Sequence, residues 1–413
     1  YVSTARKRRL FVAEAVLHIG TKKTGTTFLQ EFLRQNQVAL AQAGWTYPEF
    51  LRRRNHHDLA LPFADDKTSE VHRLLGFDTE EGSQELIAKL DRELTAAVQP
   101  DQRWIFSSEF LSSRLLTAGE VASMLAFLRK HFTDIRAVVY FRRQEFMVPS
   151  TYSQSIREGG IRDLNWRYVQ GRMQDFDHLN LYRIWNEQLG PGNLISRPYL
   201  EAYKSAPDAV LADFFEATGI PARDDYEMPG RASANPQLSR EGIAVMKSLN
   251  ARFPVRKRGE RPLRPQRAAI ARRVAEITAG PSFGLSAELL KAMKAYFSPR
   301  NATLVTELGG GSEWTEWMDQ QPPQTAEAGE DAVSNARLAE VMAQIPSEGS
   351  GVSPLMMANL FARLSLPEGI VDWEDAEGHA NLAAARPLPK APRTWRQLAK
   401  RGMAKARARK GPR

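Results

Sequence analysis

Apolar positions along the chain alternate between short unbroken runs and helical periods. Val12–Ile19 is a short apolar run followed by a glycine-containing loop, which predicts a strand. Phe28, Leu29, Phe32 and Leu33 then fall on one face at helical spacing, predicting a helix over Thr26–Ala41. Trp104–Ser108 is a second short strand. Thr117 with Glu120 forms a capping box opening a helix whose inner face is Val121, Leu125 and Leu128. Ile135–Phe141, rich in β-branched residues, is the third and clearest strand, and Leu194–Arg197 is a fourth after a helix ending near Gly190. Ser239 caps a helix running to Asn250, and Ser286 opens another that reaches about Leu308. Strands alternating with helices predict an α/β fold: a parallel sheet covered on both faces.

Gly309–Gly311 ends the regular pattern, and residues 311–335, rich in Gly, Pro, Gln, Glu and Ala, are expected to be a linker. Ala336–Leu366 is expected to hold short helices, and from Ala384 onward Pro and basic residues predict disorder. The expected division is therefore a main domain over 1–310, a linker over 311–335, and a mostly helical or disordered C-terminal extension over 336–413 with a basic tail.

Bulk composition narrows the class without naming the chemistry. The 413 residues are 42% hydrophobic and 25% charged, ordinary for a chain with a real core. No apolar run approaches the ~20 residues needed to cross a bilayer. The opening apolar stretch contains Glu14 and His18 and lacks a small-residue cleavage site, so it is taken as a strand and not a signal peptide, and the chain as cytoplasmic. The absence of cysteine excludes disulfides, thiolate nucleophiles and Cys-ligated zinc. Net charge is +9, but Arg393–Arg413 alone contains nine Lys or Arg and no acid, so the body is near neutral.

The central chemical feature is the loop from His18 to Phe28, between a predicted strand and a predicted helix. Exposed N–H groups and the positive dipole end of a helix start favour an anion. Gly25 lets the backbone approach phosphate oxygens, Thr26 and Thr27 add hydroxyl donors, and Lys23 adds a cation. Gly20 and Gly25 have the spacing of the G-x-x-x-x-G-K-[ST] nucleotide loop, but Thr26 stands where its lysine should be, and the lysines fall earlier, at Lys22 and Lys23.

The run Lys22-Lys23-Thr24-Gly25-Thr26-Thr27 resembles the 5′-phosphosulfate loop of the PAPS-dependent sulfotransferases. That resemblance implies a P-loop-type sheet, PAPS as co-substrate with no metal required, and Lys23 on the phosphosulfate bridge. The family also has a strand ending in Arg with Ser eight residues later, together holding the 3′-phosphate. Arg142 and Ser150 match that pattern, with Arg143 and Ser153 as competitors. Arg suits the task because its planar fork binds phosphate oxygens bidentately. The stretch Val139–Gly159, the segment from Trp185 to Tyr199, and Asn235–Ser239 leading to Asn250 look like the bacterial, carbohydrate-type members. The resemblance spans about residues 13–310. Arg256–Gly259 is a candidate for a later basic contact, against the alternative of a solvated loop.

A hydroxyl acceptor needs a general base. In the family this is His or Glu at positions that vary. Glu109 after the second strand is favoured, then His57, with Glu49 nearby and His18 assigned to the core. The expected acceptor is a carbohydrate, glycolipid or other hydroxyl compound, not nucleic acid, with a peripheral contact between the basic tail and an anionic membrane. Two alternatives stand beside this: a P-loop kinase or NTPase, and a polyanion-binding protein that uses the tail.

Overall fold

The computed structural model describes residues 13–51, 55–67, 72, 77–230, 238–252, 264–278, 280, 283–322 and 333–345. Arg256–Gly259, Ala384 onward and the basic tail lie outside them.

Five parallel strands form one sheet in the order β2-β3-β1-β4-β5: β1 Glu14–His18, β2 Trp45–Thr46, β3 Arg103–Ser107, β4 Asp134–Phe141 and β5 Leu194–Pro198. The predicted α/β class is therefore the observed one. Alternate residues of each central strand enter different cores. Ala15, Leu17, Phe106, Ala137, Val139 and Phe141 pack on one face, and Val16, Ile105, Val138 and Tyr140 on the other. Burial on both faces explains why these strands read as unbroken apolar runs.

The described residues fall into two compact units. The first is drawn from within Tyr1–Met147, Val169–Ala232 and Lys291–Pro322 and contains the sheet. The second is drawn from within Val148–Tyr168, Ser233–Leu290 and Pro323–Arg413. In the second, Asn250 donates from Nδ2 to the carbonyls of Ile156 and Gly160, and Arg337 pairs with Glu241. No helix among the described residues is long and apolar enough to cross a membrane.

Most predicted helix starts hold. Thr117 and Glu120 make both bonds of the capping box, Ser239 Oγ accepts from Gly242 N, and Ser286 Oγ accepts from Leu289 N. Two expectations change. The helix predicted over Thr26–Ala41 is two helices, α1 Thr26–Gln35 and α2 Gln37–Gln42. Asn36 separates them because its side-chain amide donates to the carbonyls of Phe32 and Glu227 while its Oδ1 accepts from Glu227 N. Periodicity could not show that, since the partner lies 191 residues away. The linker expected over 311–335 begins with a helix, Ser312–Asp319. Trp314 and Trp317 are buried in the first unit's core, and Trp317 Nε1 donates to the carbonyl of Phe141 at 2.7 Å. Two tryptophans three apart in a polar stretch are an amphipathic stripe, and burying them outweighs the loop-like composition around them.

Candidate active site

The loop after β1 is held against β4 by its backbone. Ile19 N donates to Val138 O, Thr21 N and Oγ1 both donate to Tyr140 O, and Tyr140 N donates to Gly20 O. Thr24 Oγ1 closes the turn onto Thr21 O at 2.6 Å. Thr24, expected to contact the donor, is fully buried and makes a bond within the loop.

Gly25 is the N-cap of α1, with φ 76° in the left-handed region, and no side chain caps this helix start. A Cβ there would meet only ordinary contacts, with Tyr199 and Val210 at 4.0 Å, so the dihedral and not crowding calls for glycine. Lys23 is left-handed too, at φ 67°. Left-handed backbone at a non-glycine residue is costly and clusters at functional sites. Gly20 has the other reason: at φ 98°, its Cβ would stand 3.2 Å from Ser112 Oγ and 3.4 Å from the Glu109 Cα. The helix Glu109–Arg114 thus lies directly over the start of the loop.

That helix brings the favoured base to the site. Ser108 caps it, accepting from Phe110 N at 3.2 Å, and Glu109 is its first residue. Thr26 Oγ1 donates to Glu109 Oε2 at 3.4 Å, a long hydrogen bond between the base candidate and the loop. His57 is buried, its ring stacked on Phe110 at 3.5 Å and 2°. Arg114 lies 5.4 Å from the same Phe110 ring. Glu49 is exposed. His56 is structural: its Nε2–H donates to Pro48 O and its Nδ1 accepts from Ser107 N, which fixes the neutral tautomer. Burial pushes its pKa down to about 3. His18 is fully buried, shares a 2.8 Å bond with Ser107 Oγ, and burial pushes it down to about 4. The core assignment of His18 agrees with this.

The loop's cations already have partners. Lys22 pairs with Asp175 at 2.8 Å. Arg142, at the end of β4, makes a two-point fork on Glu201: Nε to Oε1 at 2.5 Å and Nη2 to Oε2 at 2.8 Å. Its remaining nitrogen, Nη1, donates to the carbonyl of Lys23 at 3.1 Å. Residues from two distant parts of the chain, 119 positions apart, therefore meet in one place. Burial pushes the Glu201 carboxyl up, but Arg142 and Lys204 outweigh it and hold it below the usual carboxylate range. Arg143, the competitor, is committed elsewhere. It forks onto Glu145 and donates from Nη1 to the carbonyls of Met318 and Gln320. Ser150 is half-buried on the helix Gln144–Arg157 and falls in the second unit. Ser153 accepts from Leu238 N at 3.4 Å within that second unit.

Sequence reasoning missed Glu201 and Asp175. One signal could have found Glu201. β4 and β5 pair in parallel with Phe141 opposite Pro198, so the residues just past each strand end must converge. Nothing comparable marks Asp175. Among the described residues no group of three or more His, Asp or Glu stands where it could hold a metal ion.

No protein-family model matches this chain, and neither does any curated protein. Among solved structures, a sulfotransferase from Alicyclobacillus acidocaldarius is similar with a TM-score of 0.42 and 13% identity, over 73% of this chain and 98% of that one. The sulfotransferase domain of the Synechococcus PCC 7002 olefin synthase is similar with a TM-score of 0.26 and 15% identity, over 52% of this chain and 74% of that one.

Proposed function

We propose that this protein is a sulfotransferase that moves a sulfuryl group from PAPS to a hydroxyl of a carbohydrate or similar acceptor. One observation carries the reading: Arg142 reaches the carbonyl of Lys23 beside a helix start that no side chain caps. A nucleotide with phosphate at both ends of its ribose asks for such a pair of neighbouring anion sites. The α1 N–H groups, Lys23 and the hydroxyl of Thr27 take the 5′-phosphosulfate, while the Thr26 hydroxyl donates to Glu109. Arg142 takes the 3′-phosphate. Lys22 is held by Asp175 and orients the loop.

In the transfer, the acceptor oxygen attacks sulfur in line as the bond from sulfur to the bridging phosphate oxygen breaks. The acceptor proton passes to the Glu109 carboxylate, which Thr26 already holds at the loop. The electron pair of the broken bond leaves on the phosphate, where Lys23 and the loop amides stabilise it. His57 is the second candidate base. The kinase alternative needs a lysine after Gly25, and Thr26 stands there.

The test is thermal stability with adenosine 3′,5′-bisphosphate against ATP with Mg²⁺, followed by transfer of radiolabelled sulfuryl from PAPS to a panel of saccharides. The bisphosphate should raise the melting temperature and ATP with Mg²⁺ should not. Preferential stabilisation by ATP with Mg²⁺ would overturn the reading.

A further inference from the structure

We infer that Glu201 is a tethered competitor for the nucleotide's 3′-phosphate, a carboxylate that occupies the Arg142 fork and must leave it when the donor binds and return when the product departs. This rests on the reading of Arg142 as the 3′-phosphate ligand.

Three observations carry it. Glu201 satisfies Arg142 in the two-point geometry that a phosphate would use, through Nε and Nη2. The Arg142 side chain is 3% exposed and that of Glu201 is 22% exposed, so the fork is buried while its carboxylate partner reaches solvent. Glu201 also has somewhere to go. Its Oε2 already pairs with Lys204 at 2.5 Å, three residues on in the same short turn, and Lys204 is 51% exposed. A rotation of the Glu201 side chain toward Lys204 would keep one ion pair while it opens the other.

The surrounding bonds confine the motion to that side chain. The Glu201 N–H is pinned to Gln320 Oε1 at 2.8 Å, so its backbone stays in place. Arg142 keeps its third bond, Nη1 to Lys23 O, and so remains aimed at the loop. Arg143 has no such exchange built around it, because its carboxylate partner Glu145 is only 3% exposed.

The physical consequence is quantitative. Only molecules with an open fork bind the 3′-phosphate at full strength, so apparent affinity falls by the open fraction. A nucleotide lacking that phosphate has no quarrel with Glu201 and gains nothing from its removal beyond the change in net charge. The ratio of affinities for the two nucleotides removes what a substitution does to both alike, and E201D, which keeps the charge but shortens the reach, separates the competition from the local charge.

The experiment measures dissociation constants by calorimetry for adenosine 3′,5′-bisphosphate and adenosine 5′-monophosphate, on the full chain, in the wild type, E201Q and R142Q. E201Q should widen the bisphosphate preference about tenfold, the value for an open fraction near one tenth. It should also slow bisphosphate release in stopped flow. An unchanged or narrowed preference in E201Q, with R142Q still abolishing the preference, would overturn the competitor role alone. A preference that R142Q leaves intact would overturn the 3′-phosphate assignment itself. Should E201Q fail to fold, E201D retains the charge with a shorter reach; it should widen the preference by a smaller factor, and no widening there also overturns the proposal.

Discussion

The ends of β1 and β4 are neighbours in the sheet, yet they present positive charge by opposite means. At the end of β1 much of it is backbone, a glycine turn and a helix start with no capping side chain, set beside Lys22 and Lys23. At the end of β4 it is made of guanidinium groups, and each is matched by a carboxylate, Arg142 by Glu201 and Arg143 by Glu145. The difference follows from desolvation. Peptide dipoles need no counter-ion, whereas a buried full charge must be paired to be tolerated at all. A site built partly from each can therefore leave its backbone half open to a ligand, while its side-chain half is filled by the protein's own anions. Within that half the two arginines divide again: Arg143 is tied on every side by groups of the fold, and Arg142 by one carboxylate that reaches solvent.

Four measurements would sharpen or break this contrast. The largest effect is expected from Arg143→Ala, which leaves Glu145 buried without its partner. It should lower stability by about 3–5 kcal/mol, read from urea midpoints, and Arg142→Ala should lower it less while raising the PAPS concentration needed. Equal losses of stability would erase the division between them. Lys23→Ala should reduce kcat roughly 10²–10³-fold, the usual loss for one donor aimed at developing charge. A change confined to KM would make Lys23 a binding group only.

Acid should strike both strand ends together. His18 stands at the end of β1, and His178 donates from Nε2 to the carbonyl of Arg142 at the end of β4. Burial lowers each to about 4, and His56 to about 3. Between pH 6.5 and 4 the unfolded chain therefore binds protons that the folded chain refuses. Stability should fall as pH drops through that window, by up to about 1.4 kcal/mol per pH unit for each group. A urea midpoint that does not change between pH 7 and 5 would contradict the neutral buried imidazoles. The smallest effect is expected from Gly25→Ala. Strain at its positive φ should lower stability by about 1–2 kcal/mol, with weaker stabilisation by the bisphosphate, since the added methyl meets no close contact.

The contrast also explains what could be read from the chain alone. The β1 loop was legible because everything it needs is local: an apolar run, the spacing of Gly20 and Gly25, and the helix period of Phe28, Leu29, Phe32 and Leu33. The capping box at Thr117 and Glu120 was legible for the same reason. Arg142 was legible as a strand-terminal arginine, but its partner Glu201, 59 residues away, could be found only by first pairing β4 with β5. Asn36 and Trp317 escaped for the same cause: each makes its decisive bond across most of the fold. The residues expected to form a linker misled because their composition is loop-like, while two buried indoles decide their structure.

The bonds from Trp317 and Met318 to the end of β4 set a timetable for synthesis. A ribosome delivers Arg143 early, but the carbonyl of Met318 that receives it is 175 residues downstream. By then all five strands have been synthesised. The growing polypeptide can therefore close the β1 loop only once β4 is made, and must hold the end of β4 incomplete until almost the last described part of that unit is made. A message cut short before Trp317 would yield a product with a closed loop and an unfinished strand end, lacking the bonds that Trp317 and Met318 make to Phe141 and Arg143.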